Sequence, residues 1–103
     1  MANIMEDDFC VGEWRVQPRL NRVEQQGHVV QIEPKMMQVL VYLAAHAGEV
    51  CTRQALLDAA WSDTVVGDEV LSRVISELRK IFGDDARAPT IIETIPRAGY
   101  RII

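Results

Sequence analysis

Apolar residues change their rhythm twice along the chain. From residue 9 to residue 32 they come in short runs: FCVG (9–12), EWRVQ (13–17), NRVEQ (21–25) and HVVQI (28–32). The runs are rich in β-branched and aromatic side chains, and the turn signals Pro18-Arg19 and Gln26-Gly27 separate them. This pattern predicts four short strands. Val23 and Val29, with Val30 and Ile32 nearby, suit an antiparallel sheet with one buried face.

From Pro34 the period lengthens. Met37, Leu40, Val41 and Ala44 recur at three and four residues, as on one face of a helix, and Met36, Leu43 and Ala47 widen the stripe. Pro34 suits the first helical position, where its missing N–H would have no partner anyway. Gly48 suits the stop. A second, shorter helix is expected after Thr52, an N-cap residue whose hydroxyl can accept a first-turn N–H, with Leu56, Leu57, Ala60 and Trp61 inward. After the loop SDTVVG (62–67), a third helix is expected from near Asp68, again a capping residue, to Phe82. Leu71, Val74, Ile75, Leu78, Ile81 and Phe82 make its stripe, while Ser72, Arg73, Ser76, Arg79 and Lys80 lie off it. Gly83 ends it, and DDARAP is a polar link. Alternation returns in TIIETIPRAGYRII (90–103), where PRAG joins two apolar runs into a β-hairpin and Gly99 is expected to supply a positive φ in the turn.

The fold class is therefore α+β: an N-terminal four-stranded antiparallel sheet, three helices and a C-terminal hairpin. A chain of 103 residues makes one domain, expected over 9–103, with a frayed, acidic terminus over 1–8. The longest apolar run, Val39–Ala45, is far short of the ~20 residues a membrane helix needs. The start of the chain has no signal-peptide pattern. Cys10 and Cys51 read as buried free thiols in a reducing cytoplasm. Together with His28 and His46 they lack the paired spacing of a zinc site. No nucleophile pattern or glycine-rich phosphate loop suggests an enzyme. Neither a cofactor nor a metal is expected.

Charge changes the picture. The formal net charge is −4, yet residues 1–69 hold five Lys/Arg against eleven Asp/Glu, and residues 70–103 hold six against four. The cations collect where the third helix and the hairpin are. Small residues at Ser72 and Ser76 would let that helix lie deep in a DNA major groove, with Arg73, Arg79 and Lys80 on guanine edges or phosphates. The plainer alternative is a solvated face, with Glu77 pairing to Arg73 and Lys80 at helical spacing. At the hairpin, Arg97 sits at the tip and Arg101 on the return strand. A protruding arginine can enter a narrow A·T-rich minor groove, whose negative potential attracts it. A winged helix that binds protein rather than DNA is the rival, favoured a little by the acidic total and Glu77.

VGEWRVQPRLNRVEQQG (11–27), EPKMMQVLVYLAAHAGEVCTRQALLDAAW (33–61), ISELRKIFGDD (75–85) and IIETIPRAGYRI (91–102) carry a resemblance. They resemble the OmpR/PhoB-type winged-helix DNA-binding domain, on the ToxR/CadC branch of bacterial transcriptional regulators. The resemblance implies a winged helix-turn-helix that binds double-stranded DNA sequence-specifically. Helix 68–82 would lie in the major groove and the wing 90–103 in the minor groove. Ser72, Arg73 and Ser76 would face bases or nearby phosphates, with Arg79 and Lys80 near the backbone. Arg97 would enter the minor groove at the tip formed with Gly99. Thr94 and Tyr100 would touch phosphate. Thr52 and Arg53 would offer a phosphate site at a helix N-terminus, and the Trp61 indole N–H could reach the backbone. Loop 62–67 would face RNA polymerase, and two copies would form a homodimer on direct-repeat sites. The domain would be cytoplasmic and touch no membrane itself; in this branch an inner-membrane helix and a sensor follow. Glu77 and Ala98 stand where some relatives have cations, which implies fewer phosphate contacts and weaker salt dependence.

Overall fold

The computed structural model describes residues 7–103. Strands β1 (Phe9–Val11), β2 (Trp14–Gln17), β3 (Arg22–Gln25) and β4 (His28–Gln31) pair in sequence order as an antiparallel meander. Helix α1 (Pro34–Ala45), the short strand β5 (Cys51–Thr52), and helices α2 (Arg53–Ala60) and α3 (Asp68–Phe82) follow. Strands β6 (Ile92–Ile95) and β7 (Gly99–Ile102) form the hairpin, and β5 joins it in a second sheet of order β5-β7-β6.

The first sheet is organised by alternation. Phe9 lies opposite Val16, Val16 opposite Val23, and Val23 opposite Val30, so one row of side chains faces the core. Val16 and Val23 are fully buried. Val29 falls on the other face and is 47% exposed, because a strand turns successive side chains to opposite sides. Of Val23, Val29, Val30 and Ile32, only Val29 faces away from the core. Trp14 meets Phe82 with ring centroids 5.6 Å apart, which ties the sheet to the end of α3. Cys10 also points to the outer face and is exposed, contrary to the buried thiol expected there. Cys51 is buried, and burial, then the Glu49 carboxylate, pushes its thiol pKa up. Residues 1–6 of the expected frayed terminus lie outside the described residues. Asp8 is held, with its carboxylate 3.0 Å from Arg15.

Sequence signals fix the helices. Pro34 opens α1, whose buried residues Met36, Met37, Val39, Leu40, Val41 and Leu43 reach further round the helix than the expected stripe. The helix ends at Ala45, so Ala47 lies beyond it and is exposed. Gly48 (φ 83°) then donates its N–H to the Ile102 carbonyl at 2.9 Å, joining the helix end to β7. Thr52 caps α2, accepting the Ala55 N–H at 3.0 Å. At α3 the N-cap is Gly67 rather than Asp68. Asp68 and Glu69 occupy the first turn, where the helix dipole favours acids. At the other end Gly83 adopts φ 68° and donates to the Lys80 carbonyl (3.3 Å), while the Asp84 N–H reaches the Arg79 carbonyl (2.8 Å). This is a Schellman closure, and it fixes Asp84 against the helix end. Among the described residues no helix is long and apolar enough to cross a membrane.

Candidate nucleic-acid interface

The stripe on α3 divides the helix cleanly. Leu71, Val74, Ile75, Leu78 and Phe82 are buried, and Ile81 is half-buried against them. Ser72, Arg73, Ser76, Glu77 and Lys80 are exposed. Arg73 makes no hydrogen bond or ion pair among the described residues. Lys80 stands 3.7 Å from Glu77, an exposed pair of the kind that contributes little and that a phosphate can displace. The two acids at the start of α3 make that N-terminus unattractive to phosphate.

The hairpin tip is a turn from Ile95 to Ala98, closed by the Ala98 N–H on the Ile95 carbonyl at 3.0 Å. Pro96 and Arg97 are its central residues. Gly99, expected to supply a positive φ, does so at the start of β7 with φ 159°, while Arg97, with φ 65°, is the left-handed residue of the turn itself. A type II turn asks for glycine or asparagine at this place, and an arginine there is strained. Its side chain is exposed and has no partner among the described residues. Gly99 is needed for a second reason as well. It lies opposite Thr52, and a Cβ on it would sit 1.9 Å from the Cys51 carbonyl oxygen. Glycine is what allows β5 to approach β7.

Below the tip the expected site residues divide. Thr94 and Tyr100 are cross-strand partners. Tyr100 is 5% exposed, and its hydroxyl has no hydrogen bond among the described residues. Among the described residues no buried side-chain polar atom is left unpaired, so that hydroxyl opens on the surface. The Arg53 guanidinium lies 6.0 Å from the Tyr100 ring centroid, which brings the start of α2 against the hairpin. The Thr52 hydroxyl is occupied as the cap of α2. Trp61 is buried at the end of α2, and its indole N–H likewise opens on the surface. Arg101 is tied to Glu93 across the hairpin, so its charge is neutralised.

Arg79 faces the hairpin. Its Nε (3.3 Å) and Nη2 (2.9 Å) donate to the Ile92 carbonyl, and Nη2 also donates to the Thr94 hydroxyl at 2.7 Å. Asp84, inside what reads in the sequence as a polar link, completes the connection. Its Oδ2 accepts the N–H groups of Ile92 (2.8 Å) and Ile91 (3.2 Å). Its Oδ1 accepts the N–H (2.8 Å) and hydroxyl (3.1 Å) of Thr90. Burial pushes this carboxyl pKa up, but the bonds from Ile92, Thr90 and Ile91 outweigh burial and hold it below its ordinary value. Lys35 is a second residue that periodicity did not mark: its Nζ donates to the Ala60 carbonyl at 2.6 Å and closes the end of α2. The sequence signals for Asp84 are its place one residue after the helix-ending Gly83 and its presence in the motif ISELRKIFGDD.

Residues 27–102 match the family described as "Transcriptional regulatory protein, C terminal". The transcriptional activator CadC of Escherichia coli is 39% identical over 94 residues, 90% of this chain and 18% of that protein. PhoP of Bacillus subtilis, an alkaline phosphatase synthesis transcriptional regulatory protein, is 31% identical over 95% of this chain and 41% of its own length. The chain thus spans less than half of either relative. The DNA-binding domain of E. coli CadC superposes with a TM-score of 0.81 at 36% identity, covering 91% of this chain and 89% of that one. The Klebsiella pneumoniae RstA DNA-binding domain, in complex with the RstA box, superposes with a TM-score of 0.78 at 28% identity, covering 93% and 96%. The element order, the helix with an open polar face and the hairpin packed on its end agree with these matches: the chain belongs to the OmpR/PhoB-type family of winged-helix DNA-binding domains of transcriptional regulators.

Proposed function

We propose that the domain binds double-stranded DNA sequence-specifically, with α3 in the major groove and the hairpin in the adjacent minor groove. The observation that carries this is the presence of two arginines that have no partner among the described residues. Arg73 stands on the open face of α3, and Arg97 is held at the hairpin tip in a conformation that disfavours arginine. Ser72 and Ser76 leave room for base edges beside Arg73. Lys80, the Tyr100 hydroxyl, Thr94, Arg53 and the Trp61 indole N–H supply phosphate contacts that set register. Phosphate contacts position the protein and groove contacts choose the sequence. The RstA structure, itself a complex with the RstA box, supports the same use of the fold.

Fluorescence anisotropy with a pool of random labelled duplexes at several salt concentrations tests this. Wild-type binding is expected to weaken steeply with salt, and the Arg73→Glu/Arg97→Glu double variant to lose it. Absence of binding at low salt by folded protein would leave the fold as a protein-interaction module.

Loop 62–67 supports a second contact. Val65 is fully exposed, with Asp63 and Asp68 on either side in sequence. An apolar tip between acids suits a basic protein surface, and RNA polymerase is the partner we assign to it. Val65→Ser is expected to leave DNA affinity unchanged and to lower transcription in a purified system; unchanged transcription would remove the assignment. Two copies are proposed to occupy direct-repeat sites, with the domain in the cytoplasm as part of a longer, membrane-anchored regulator.

A further inference from the structure

The two charged residues at the end of α3 have a common target. Ile92 is fully buried at the base of β6, and β6 is an edge strand. Its neighbour Ile91 accepts the Ile103 N–H at 3.0 Å, so the backbone groups of Ile92, one residue on, point away from β7. On that open side Asp84 takes the Ile92 N–H and Arg79 takes the Ile92 carbonyl. Two side chains from one helix end thus occupy the place of a missing strand.

We propose that Arg79 and Asp84 are positioning residues for DNA recognition, which set the angle of the wing to α3 and thereby the fit of Arg97 to the minor groove. The proposal rests on the DNA-binding reading above. Arg97 lies five residues from Ile92, a lever of about 16 Å at the rise of a strand. A slack of about 10° at the base would move the tip by about 3 Å, half the width of a minor groove about 6 Å across. The hairpin's own pairing with β7 cannot remove such slack, because both strands would swing together. β5 and the Gly48 N–H hold the β7 side to the body, and the tie from Arg79 and Asp84 to α3 holds the β6 side. Arg79 sits three residues, one turn, beyond Ser76, so the helix that reads the major groove also aims the wing.

The test uses the full chain and one duplex selected by the wild type from a random pool, made with either an A·T or a G·C flank where the wing lies. Arg79→Lys keeps the charge but loses the fork that reaches two acceptors. Wild type is expected to prefer the A·T flank about tenfold. Arg79→Lys is expected to bind the G·C-flanked duplex within about twofold of wild type, and to show less than about twofold preference for A·T, with an unchanged salt slope. Asp84→Asn, which removes no cation, is expected to do the same. Wild-type preference retained by Arg79→Lys would overturn the proposal, and so would equal losses on both duplexes. Circular dichroism confirms folding. If Asp84→Asn does not fold, Arg79→Lys alone decides. If wild type selects no duplex at low salt, the DNA-binding reading itself falls, and that result is distinct from a variant that binds without preference.

Discussion

The two sheets of this small domain are held by opposite means. The N-terminal sheet rests on one row of apolar residues, Phe9, Val16, Val23 and Val30, and on Trp14 against Phe82. Most of its polar side chains lie on the other face, where the buried Gln17 accepts a bond from Arg22. The C-terminal sheet has an apolar base in Ile92 and Ile102, but its placement depends on three particular residues: Gly99, Arg79 and Asp84. A sheet that only has to pack can be specified by hydrophobic alternation. A sheet that has to stand at a set angle to a helix needs directional bonds, because apolar contact is non-directional. The scaffold lies at the N-terminal end and the aiming device at the C-terminal end.

The sharpest break of this contrast is Gly99→Ala. The added methyl would overlap the Cys51 backbone, so β5 must leave β7, and a loss of about 3 kcal/mol or more is expected in urea unfolding. An alanine variant as stable as wild type would show that β5 contributes nothing. Val23→Ala tests the other sheet. Deleting two buried methyl groups from a fully buried site is expected to cost about 2 kcal/mol, with DNA preference unchanged once the protein is folded.

A third prediction separates the sheets by pH. In the folded protein the Asp84 carboxyl pKa is held below its ordinary value. A carboxylate of this kind contributes stability that is present above the unfolded pKa and lost as pH falls through the folded one. Urea midpoints measured downward from pH 5 are therefore expected to fall less steeply in Asp84→Asn than in wild type, and Val23→Ala is expected to keep the wild-type slope. Identical slopes in all three proteins would remove Asp84 from the account. The smallest effect has the opposite sign. Arg97→Gly relieves a left-handed arginine and is expected to raise stability by about 0.5–1 kcal/mol while abolishing A·T preference. A stability gain without loss of preference would make the strain at Arg97 incidental to recognition.

The same contrast explains what could be read from the residues alone. The α3 stripe, the Thr52 cap and the four N-terminal strands, each to within one residue at its ends, follow from periodicity and capping, because burial repeats with the period of the element. Gly99 was marked as a turn residue, yet its function is the close approach of a strand only two residues long, which has no periodicity to detect. Asp84 looked like part of a polar link because an acid in a loop is usually solvated. Its importance comes from a carboxylate meeting N–H groups six to eight residues away, a relation fixed by tertiary structure. Val29 and Cys10 were misread for a simpler reason: within a strand, chemistry suggests burial but parity decides it. For Arg101, too, the residue type was plain and its partner Glu93 was not.

The hold on Ile92 also bears on engineering. Arg79 and Asp84 grip its main chain, and any residue but proline presents the same N–H and carbonyl there. The tie is therefore blind to what the hairpin carries beyond that point. Replacing Pro96, Arg97 and Ala98 with another loop of equal length leaves the anchor intact, so a library of tips can be grafted onto one unmodified base and compared at a constant angle.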